Sequence, residues 1–371
     1  MDIFKDHSKN IIVITTETSW NEIPRMRHHV ALQLSKNNNI LFVELNSAKQ
    51  EQLYTVSDSI AVYMIGGYVR GLNKVNFVKS IFNRFQVYKI ISLVKKIHAK
   101  RRIILNFKFD FYQIYLNEIW HQRYYFMNDD FVNMPHNTTL KKRERCRYFQ
   151  NRTITLSDRI FLSGDALTSF VEDSRKKTTV IYSGHDFKVD EYKPLFNKRP
   201  ILCFLGFVNN NLELDWIEAL ALTDKYEIRL IGPLESTLIK ERFEGLVNIE
   251  LFDPLVGEKL YHFLKSADAF LMPYKDLPVN TISSVPAKLF QYLACGKPII
   301  SNNLPNLIDL PDFFVYQASS IAEFLSSVDK ALNEDNEKNF IRRISFASEN
   351  TWDRRGELLN FIIDNDKETD N

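Results

Sequence analysis

The segment from residue 267 to residue 301 constrains the fold more than any other part of the chain. Ala269–Met272 is a short apolar run of the kind that forms a buried strand, and a helical pattern follows it. Leu289 and Leu293 lie four residues apart, so they share one helix face and would pack on the core. Gly296 stands where helices commonly end in a left-handed residue, and a second apolar run follows. The segment therefore predicts a strand–helix–strand unit of a parallel sheet.

The start of this helix predicts an anion site. Ser283 and Ser284 are capping residue types, and Pro286 suits the first helical turn, where its missing N–H would be unpaired anyway. Lys288 and Gln291 are three residues apart and share one face. Because the free N–H groups and positive dipole end of a helix attract anions, a cation and an amide here suit a nucleotide diphosphate and a sugar hydroxyl.

Short apolar runs alternate with amphipathic segments along the whole chain, which indicates βα units and an α/β fold of doubly wound sheets. The runs predicted as strands begin at Ile11, Asn39, Ile103, Tyr124, Arg159, Thr179, Ile201, Glu227, Val247 and Ala269. A polar stretch near 187–200 is interpreted as a linker. We therefore predict an N-terminal domain over 1–186, a C-terminal domain over 187–349 and a last helix over 350–371.

Composition narrows the class of protein. The 371 residues are 45% hydrophobic and 25% charged, as in soluble globular proteins, and the length suggests two domains. No apolar run is long enough for a transmembrane helix, and the N-terminus lacks the pattern of a signal peptide. Cys146, Cys203 and Cys295 are isolated, which fits a reducing cytoplasm and gives no metal-ligand spacing. We expect a cytoplasmic protein.

A basic segment interrupts this even composition. From residue 70 to residue 102 there are ten Lys or Arg residues and no acidic one, with aromatic and aliphatic residues interleaved. The pattern is typical of an interfacial helix on anionic headgroups, which predicts a peripheral position on the inner face of the cytoplasmic membrane. A solvated basic helix packed by its apolar stripe is the alternative. Nucleic-acid binding is disfavoured, because no nucleic-acid motif accompanies the charge.

These motifs resemble GT-B glycosyltransferases of the bacterial group that builds capsule, O-antigen and teichuronic-acid glycans. In the C-terminal half the matching elements are Gly206, Leu230–Pro233, Ser266–Asp268, Pro273–Tyr274 and Pro286–Pro298. In the rest of the chain they are Trp20, Pro24, Arg25, Arg27, His28, His29, Leu156–Phe161, Gly184–Asp186 and Trp352–Arg355. The resemblance covers most of the chain and is most specific from 266 to 301. It implies two Rossmann-like domains facing across a cleft, the first for the acceptor and the second for a nucleotide sugar.

The resemblance assigns the predicted nucleotide-sugar site to the second domain. The candidate residues are Gly206, Asn209, Gly232, Tyr274, Ser284, Lys288 and Gln291. Lys288 would bind the diphosphate, and Tyr274 would stack on uracil or simply pack. Gly206 and Gly232 either allow the backbone to approach the donor or merely end strands. Asn209 lies in the loop after Gly206 and would meet phosphate or acceptor.

One position departs from the family pattern. Many relatives place a glutamate at the Gln291 position and often another at the Ser283 position, and that acidic pair contacts ribose and sugar hydroxyls. A lysine and a glutamine three residues apart occur in the xanthan-type glucuronosyltransferase branch, which is inverting and uses a UDP-sugar. Because glutamine removes a negative charge, it would also favour an anionic donor such as a uronate.

The first domain carries the predicted acceptor and catalytic residues. Asp129 and Asp130 follow a predicted strand, and one of them would act as the general base of an inverting transferase. A turn or N-cap pair is the alternative. By family position, the acceptor would be bound by Trp20, Arg25, Arg27 and His28.

The resulting hypothesis is a hexosyl- or uronosyltransferase that moves a sugar from a UDP-sugar to a hydroxyl of a lipid-linked surface glycan. We expect no cofactor and no metal, because the second domain has no Asp-x-Asp at a strand end and Lys288 with its helix would carry the leaving-group charge. Two rivals stay open. One is a nucleotide-sugar epimerase of similar fold, and the other is a non-catalytic binding or scaffold subunit, which the departure at Gln291 favours.

Overall fold

The computed structural model describes residues 3–45, 50–66, 76–134, 137–174, 176–188, 191–192, 197–275, 285–302 and 310–366. Two compact units divide the chain. The first contains residues 1–182 and 352–371, and the second contains residues 183–351. These bounds lie a few residues from the predicted ones, and the last helix belongs to the first unit. In the described part of the chain, no helix is both long and apolar enough to cross a membrane.

The first unit is built on an eight-stranded sheet in the order β3-β4-β2-β1-β5-β6-β7-β8. Its strands are β1 (Ile11–Thr16), β2 (Asn39–Glu44), β3 (Gln52–Ser57), β4 (Ile60–Met64), β5 (Arg102–Asn106), β6 (Gln122–Met127), β7 (Arg159–Leu162) and β8 (Lys177–Val180). Only β3 runs antiparallel among these strands. The central strands β1 and β2 are buried at every residue, as expected of parallel strands covered on both faces.

Helices cover both faces of this sheet. They are α1 (Met26–Leu34), α2 (Asn76–Val94), α3 (Leu140–Leu156) and α10 (Trp352–Asn365), with a 3₁₀ helix at Tyr112–Leu116 and shorter 3₁₀ turns at Asp165–Phe170 and Glu172–Ser174. α1 and α10 pack together over alternate residues of β1 and β2. The other alternate residues of β1 and β2 pack against α2 and the 3₁₀ helix at Tyr112–Leu116.

The second unit holds a parallel six-stranded sheet in the order β11-β10-β9-β12-β13-β14. Its strands are β9 (Ile201–Leu205), β10 (Glu227–Ile231), β11 (Ile249–Phe252), β12 (Ala269–Met272), β13 (Ile299–Asn302) and β14 (Val315–Ala318). Its helices are α4 (Leu214–Leu222), α5 (Thr237–Arg242), α6 (Gly257–Lys265), α7 (Ala287–Ala294), α8 (Ile321–Glu334) and α9 (Glu337–Ser348). β12, α7 and β13 form the strand–helix–strand unit predicted from the sequence.

The sequence predicted the C-terminal end of α7 correctly but not its first residue. Pro286 is the residue before the helix rather than part of its first turn, so Ala287 and Lys288 are the first two helical residues. The capping types Ser283 and Ser284 lie outside the described residues. At the other end Gly296 has a φ of +72°, the left-handed conformation expected there.

Gly296 also contacts α9, and this contact gives a stability prediction. A Cβ at Gly296 would lie 2.1 Å from the Phe340 ring, whereas a Cβ at Gly245, which also has a positive φ, would meet nothing within 4 Å. Gly296→Ala should therefore destabilise the protein by about 2–4 kcal/mol, from left-handed strain and overpacking together. Gly245→Ala should cost only about 1–2 kcal/mol of strain. Urea unfolding measures both, and equal losses would contradict the packing role.

Candidate functional site

In the second unit, the chain turns sharply where two neighbouring strands end. Gly206 follows β9 with a φ of +138°, and Gly232 follows β10 with a φ of +139°. The N–H of Gly206 donates to the Ile231 carbonyl at 2.8 Å, which holds the two turns side by side. A Cβ at Gly232 would lie 2.2 Å from the Gly206 carbonyl oxygen, so only glycine fits there. The close approach of the two backbones is itself a structural reason for Gly232.

Lys288 reaches back to the same turn from the start of α7. A Cβ at Gly206 would lie 2.6 Å from the Lys288 Nζ. The ammonium sits 4.3 Å from the centroid of the Phe204 ring and 4.9 Å from that of Tyr274. Cations are attracted to aromatic faces at these distances. The first turn of α7, the Gly206 turn and two aromatic rings therefore meet around one positive charge.

The charge of Lys288 is not neutralised by any described residue. Its side chain makes no salt bridge and no hydrogen bond within that part of the chain. Burial lowers the pKa of this ammonium to about 7. Lys297, nine residues later, shows the opposite arrangement, because its Nζ lies 3.3 Å from the Asp335 carboxylate. Arg343 forms a salt bridge to the same carboxylate. Lys297 thus has a structural partner, whereas binding of an anion by Lys288 stays a prediction.

Several neighbours hold the turn in place. The Tyr292 hydroxyl accepts a hydrogen bond from the Leu205 N–H at 2.7 Å, and its ring stacks on Phe270 with centroids 4.1 Å apart. The Tyr274 N–H donates to the Asn302 Oδ1 at 3.1 Å. Sequence reasoning missed Phe204, Tyr292 and Asn302. A signal was available for Tyr292, since it lies four residues after Lys288 on α7.

The other candidates of the second unit are placed as follows. Tyr274 is half-buried, and burial raises the pKa of its hydroxyl. Gln291 is half-buried on the α7 face that carries Lys288. The Asn209 Oδ1 accepts from the Asn211 N–H at 3.0 Å, which makes Asn209 part of a local turn. Ser284 lies outside the described residues. A nucleotide role for each of these side chains stays a prediction.

In the first unit, Asp129 and Asp130 follow β6 at the carboxyl edge of the sheet, but their surroundings differ. Asp130 is buried, and its carboxylate accepts from the Val132 N–H, the Asn133 N–H and the Asn133 side chain at 2.7–3.1 Å. Asp129 accepts one hydrogen bond, from the Asp130 N–H. Burial raises the pKa of Asp129. The carboxylate of Asp130 therefore stabilises a turn. The carboxylate of Asp129 accepts fewer hydrogen bonds and can still accept a proton.

Arg27 belongs to α1 and lies close enough to Asp129 for their charges to interact. Its Cζ is 5.9 Å from the Phe107 ring centroid, and its Nε is buried without a hydrogen-bond partner among the described residues. Burial and the charge of Arg25 lower its pKa to about 10, while Glu22, Glu17 and Asp129 oppose that shift. Asn128 and Ser163 follow β6 and β7, which pair in register, and each has a buried side-chain oxygen without a partner in the described chain. This edge thus presents unsatisfied polar groups around Asp129.

The remaining acceptor candidates mostly serve the fold. His28 is buried, its Nδ1 accepts from the Arg25 N–H, and its Nε2 donates to the Ser19 carbonyl at 3.0 Å. The Trp20 ring packs edge-on against Phe42 at 5.0 Å. The Arg25 Nε lies 2.7 Å from Glu22 on an exposed surface. These contacts give His28 and Trp20 structural roles, and contact with an acceptor stays a prediction for all of them.

Known glycosyltransferases resemble parts of this chain in sequence. Residues 213–360 match the family model described as glycosyl transferase-like. A protein named as a teichuronic acid biosynthesis glycosyltransferase, TuaH of Bacillus subtilis (strain 168), is 25% identical over 208 residues, which are 51% of this chain and 52% of the relative. The chain thus matches about half the length of this curated relative.

Solved structures resemble the chain over nearly its whole length. Sucrose-phosphate synthase from Thermosynechococcus elongatus superposes with a TM-score of 0.74 at 12% identity, covering 96% of this chain and 98% of that one. A trehalose-6-phosphate structure from E. coli, bound with UDP-2-fluoro glucose, gives 0.69 at 11% identity, covering 96% and 99%. The chain has the GT-B fold, and these comparisons confirm the resemblance to GT-B glycosyltransferases predicted from the sequence.

The environments of the two aspartates give a second stability prediction. Asp130→Ala removes the acceptor of three hydrogen bonds and should lower the free energy of unfolding by roughly 2–3 kcal/mol. Asp129→Ala removes one such bond and a half-buried carboxylate, and its effect should stay within about 1 kcal/mol. Thermal unfolding of the two variants in parallel measures the difference. A greater loss from Asp129→Ala would show that the two roles are reversed.

Proposed function

We propose that this protein is a glycosyltransferase that moves a sugar from a UDP-sugar to a hydroxyl of a lipid-linked surface glycan. The observation that carries the proposal is the unneutralised ammonium of Lys288 at the start of α7, against the Gly206 turn. A diphosphate supplies the missing negative charge, and the N–H groups of the first helical turn supply hydrogen-bond donors. The glycosyl transferase-like family match over 213–360 covers Lys288 and supports this assignment.

In the proposed reaction, the acceptor oxygen forms a bond to C1 of the sugar while the bond from C1 to the diphosphate breaks. Asp129 takes the proton of the acceptor hydroxyl, and its raised pKa makes it a stronger base than an ordinary aspartate. Lys288 stabilises the charge that collects on the departing UDP. A base that removes the acceptor proton during direct displacement corresponds to inversion at C1. Arg27, with its unpartnered Nε, would bind an anionic or hydroxyl group of the acceptor.

The donor sugar and the cellular location are finer parts of the proposal. Gln291 is a neutral side chain on the Lys288 face, so it would not repel an anionic sugar such as a uronate. The basic segment 70–102 would hold the protein at the inner face of the cytoplasmic membrane, near a lipid-linked acceptor. Residues 70–75 of this segment lie outside the described residues, and the remainder includes α2. We propose that turnover needs no metal or cofactor.

Loss of the Lys288 charge tests the donor site. Lys288→Ala should weaken binding of UDP-glucose or UDP-glucuronate about 10- to 100-fold, because a hydrogen bond to a charged group contributes about 1.5–3 kcal/mol. Lys240→Ala, which removes an exposed lysine of α5, is the matched control and should leave affinity unchanged. Titration calorimetry measures both. Unchanged affinity in Lys288→Ala would remove the basis of the proposal.

The same titration at several pH values tests the state of Lys288. Its free pKa of about 7 should rise when a diphosphate binds, so binding takes up a proton above pH 7. Affinity for UDP-glucose, whose phosphates do not titrate in this range, should be greatest below pH 7 and fall as the pH rises to 9. Lys288→Arg keeps the charge and should flatten this dependence. A flat profile in the unsubstituted protein would contradict the lowered pKa.

Turnover distinguishes the transferase from its rivals. With a panel of UDP-sugars and lipid-linked acceptors, acceptor-dependent release of UDP identifies a transferase. Interconversion of donor sugars without acceptor identifies an epimerase, and binding without turnover identifies a scaffold subunit. Asp129→Asn should lower kcat by about 10²- to 10⁴-fold while donor affinity is kept. An undiminished kcat in Asp129→Asn would exclude Asp129 as the base.

A further inference from the structure

α3 is a second basic helix of the first unit. It carries six cations and one acidic residue, Glu144. The cations are Lys141, Lys142, Arg143, Arg145, Arg147 and Arg152. Lys141 and Arg147 are exposed and have no carboxylate partner among the described residues. Leu140 and Tyr148 are 72% and 58% exposed on the same helix. Large apolar side chains therefore stand among unneutralised cations.

α2 also exposes apolar side chains, although two of its cations, Lys79 and Lys89, form salt bridges with Asp110 and Glu51. Ile81, Phe85 and Tyr88 lie at i, i+4 and i+7, so they form one stripe, and they are 53%, 45% and 70% exposed. Arg84, between them, is also exposed. The opposite side of the helix, with Ile90, Ile91 and Val94, is buried in the core of the unit. The outward stripe of α2 is thus not needed to pack the fold.

The two helices belong to one layer of the first unit. α2 and α3 both contact the 3₁₀ helix at Tyr112–Leu116. The Asn83 side chain of α2 donates to the Asp110 carbonyl at 3.1 Å, just before that helix. On the α3 side, the Arg152 Cζ lies 5.4 Å from the Tyr112 ring centroid. Leu116, at the end of this 3₁₀ helix, adds another exposed apolar side chain. The outward residues of α2, Tyr112–Leu116 and α3 form what we call the basic face.

We propose that the whole basic face, with α3 as its second contact, docks on the surface of an anionic lipid bilayer. Exposed Leu, Ile, Phe and Tyr side chains would enter the interfacial layer while the surrounding Lys and Arg side chains meet the headgroups. A polyanion such as nucleic acid would use the cations but leave these apolar side chains in water. The mixture of the two kinds of side chain therefore favours a lipid surface.

The direction of the helices adds a consequence that rests on the proposed function. α2 and α3 each connect parallel strands, so both begin at the carboxyl edge of the sheet, where Asp129 and Arg27 lie. Ile81 and Leu140 are near those helix starts. Docking of the basic face would thus bring the acceptor edge close to the headgroups of lipid-linked acceptors.

Vesicle binding by the full chain tests the basic face. The triple variant Lys141→Gln, Arg147→Gln, Tyr148→Ser changes α3 alone. Its partition onto vesicles of phosphatidylglycerol and phosphatidylcholine should fall roughly 20-fold or more, since each cation near an anionic surface contributes about fivefold. The control variant Lys240→Gln, Lys338→Gln, Leu238→Ser likewise removes two cations and one exposed apolar side chain, but in the second unit, and should bind like the unsubstituted protein. Binding of the unsubstituted protein should weaken as salt is raised.

Each further outcome supports or overturns the proposal. Equal partition onto purely neutral vesicles, equal loss in the α3 and control variants, or tighter binding of an oligonucleotide than of vesicles at the same salt would overturn it. Circular dichroism of the α3 variant should be unchanged, because all three side chains are exposed. UDP-glucose affinity of that variant should also be unchanged. Vesicle failure with intact donor binding would therefore reject the basic face alone and leave the proposed transferase standing.

Discussion

The contact between the Gly206 turn and Lys288 is the interaction on which the candidate donor site depends. Two strand ends must turn with positive φ and touch each other, which leaves no room for a side chain at Gly232. The Lys288 ammonium lies against the side of the Gly206 turn where a Cβ would be, and it also contacts two aromatic rings. Cation–π contacts stabilise this charge only modestly, so burial still lowers the pKa of the ammonium. A bound anion would complete the arrangement.

In the first unit, two carboxylates that are neighbours in sequence differ in the hydrogen bonds that they accept. Both carboxylate oxygens of Asp130 accept hydrogen bonds from the loop after β6. Asp129 has one oxygen that accepts no hydrogen bond from the described residues. The same edge carries Arg27, Asn128 and Ser163 with unsatisfied polar atoms. Buried polar groups without partners are costly, and they are expected where a ligand supplies the missing hydrogen bonds. These groups have hydrogen-bonding capacity for a ligand, and an acceptor as that ligand stays a proposal.

Much of the fold follows from hydrophobic periodicity. The alternating runs predicted the parallel sheets of both units and the β12–α7–β13 segment, because local pattern and buried strands agree there. The exact start of α7 was missed, since Pro286 fits either side of a helix start. His28 resembled an acceptor ligand by family position, yet its ring closes two hydrogen bonds inside the first unit. Both partners, Arg25 and Ser19, precede His28 closely in sequence, but the bond to Ser19 depends on how the loop before α1 folds.

The sequence by itself determined the α/β class, the strand–helix–strand segment with Lys288, and the basic composition near α2. These features depend on spacing along the chain, which propensity and periodicity report directly. The tertiary structure decided which lysine is neutralised, which aspartate ties a turn, and that α3 lies in the same layer as α2. The lysine pairing and the helix layer depend on residues distant in sequence, such as Asp335 for Lys297 and Tyr112 for Arg152. The role of Asp130 depends on how the loop after β6 folds onto its carboxylate. Charge pairing and burial are set only when such residues meet.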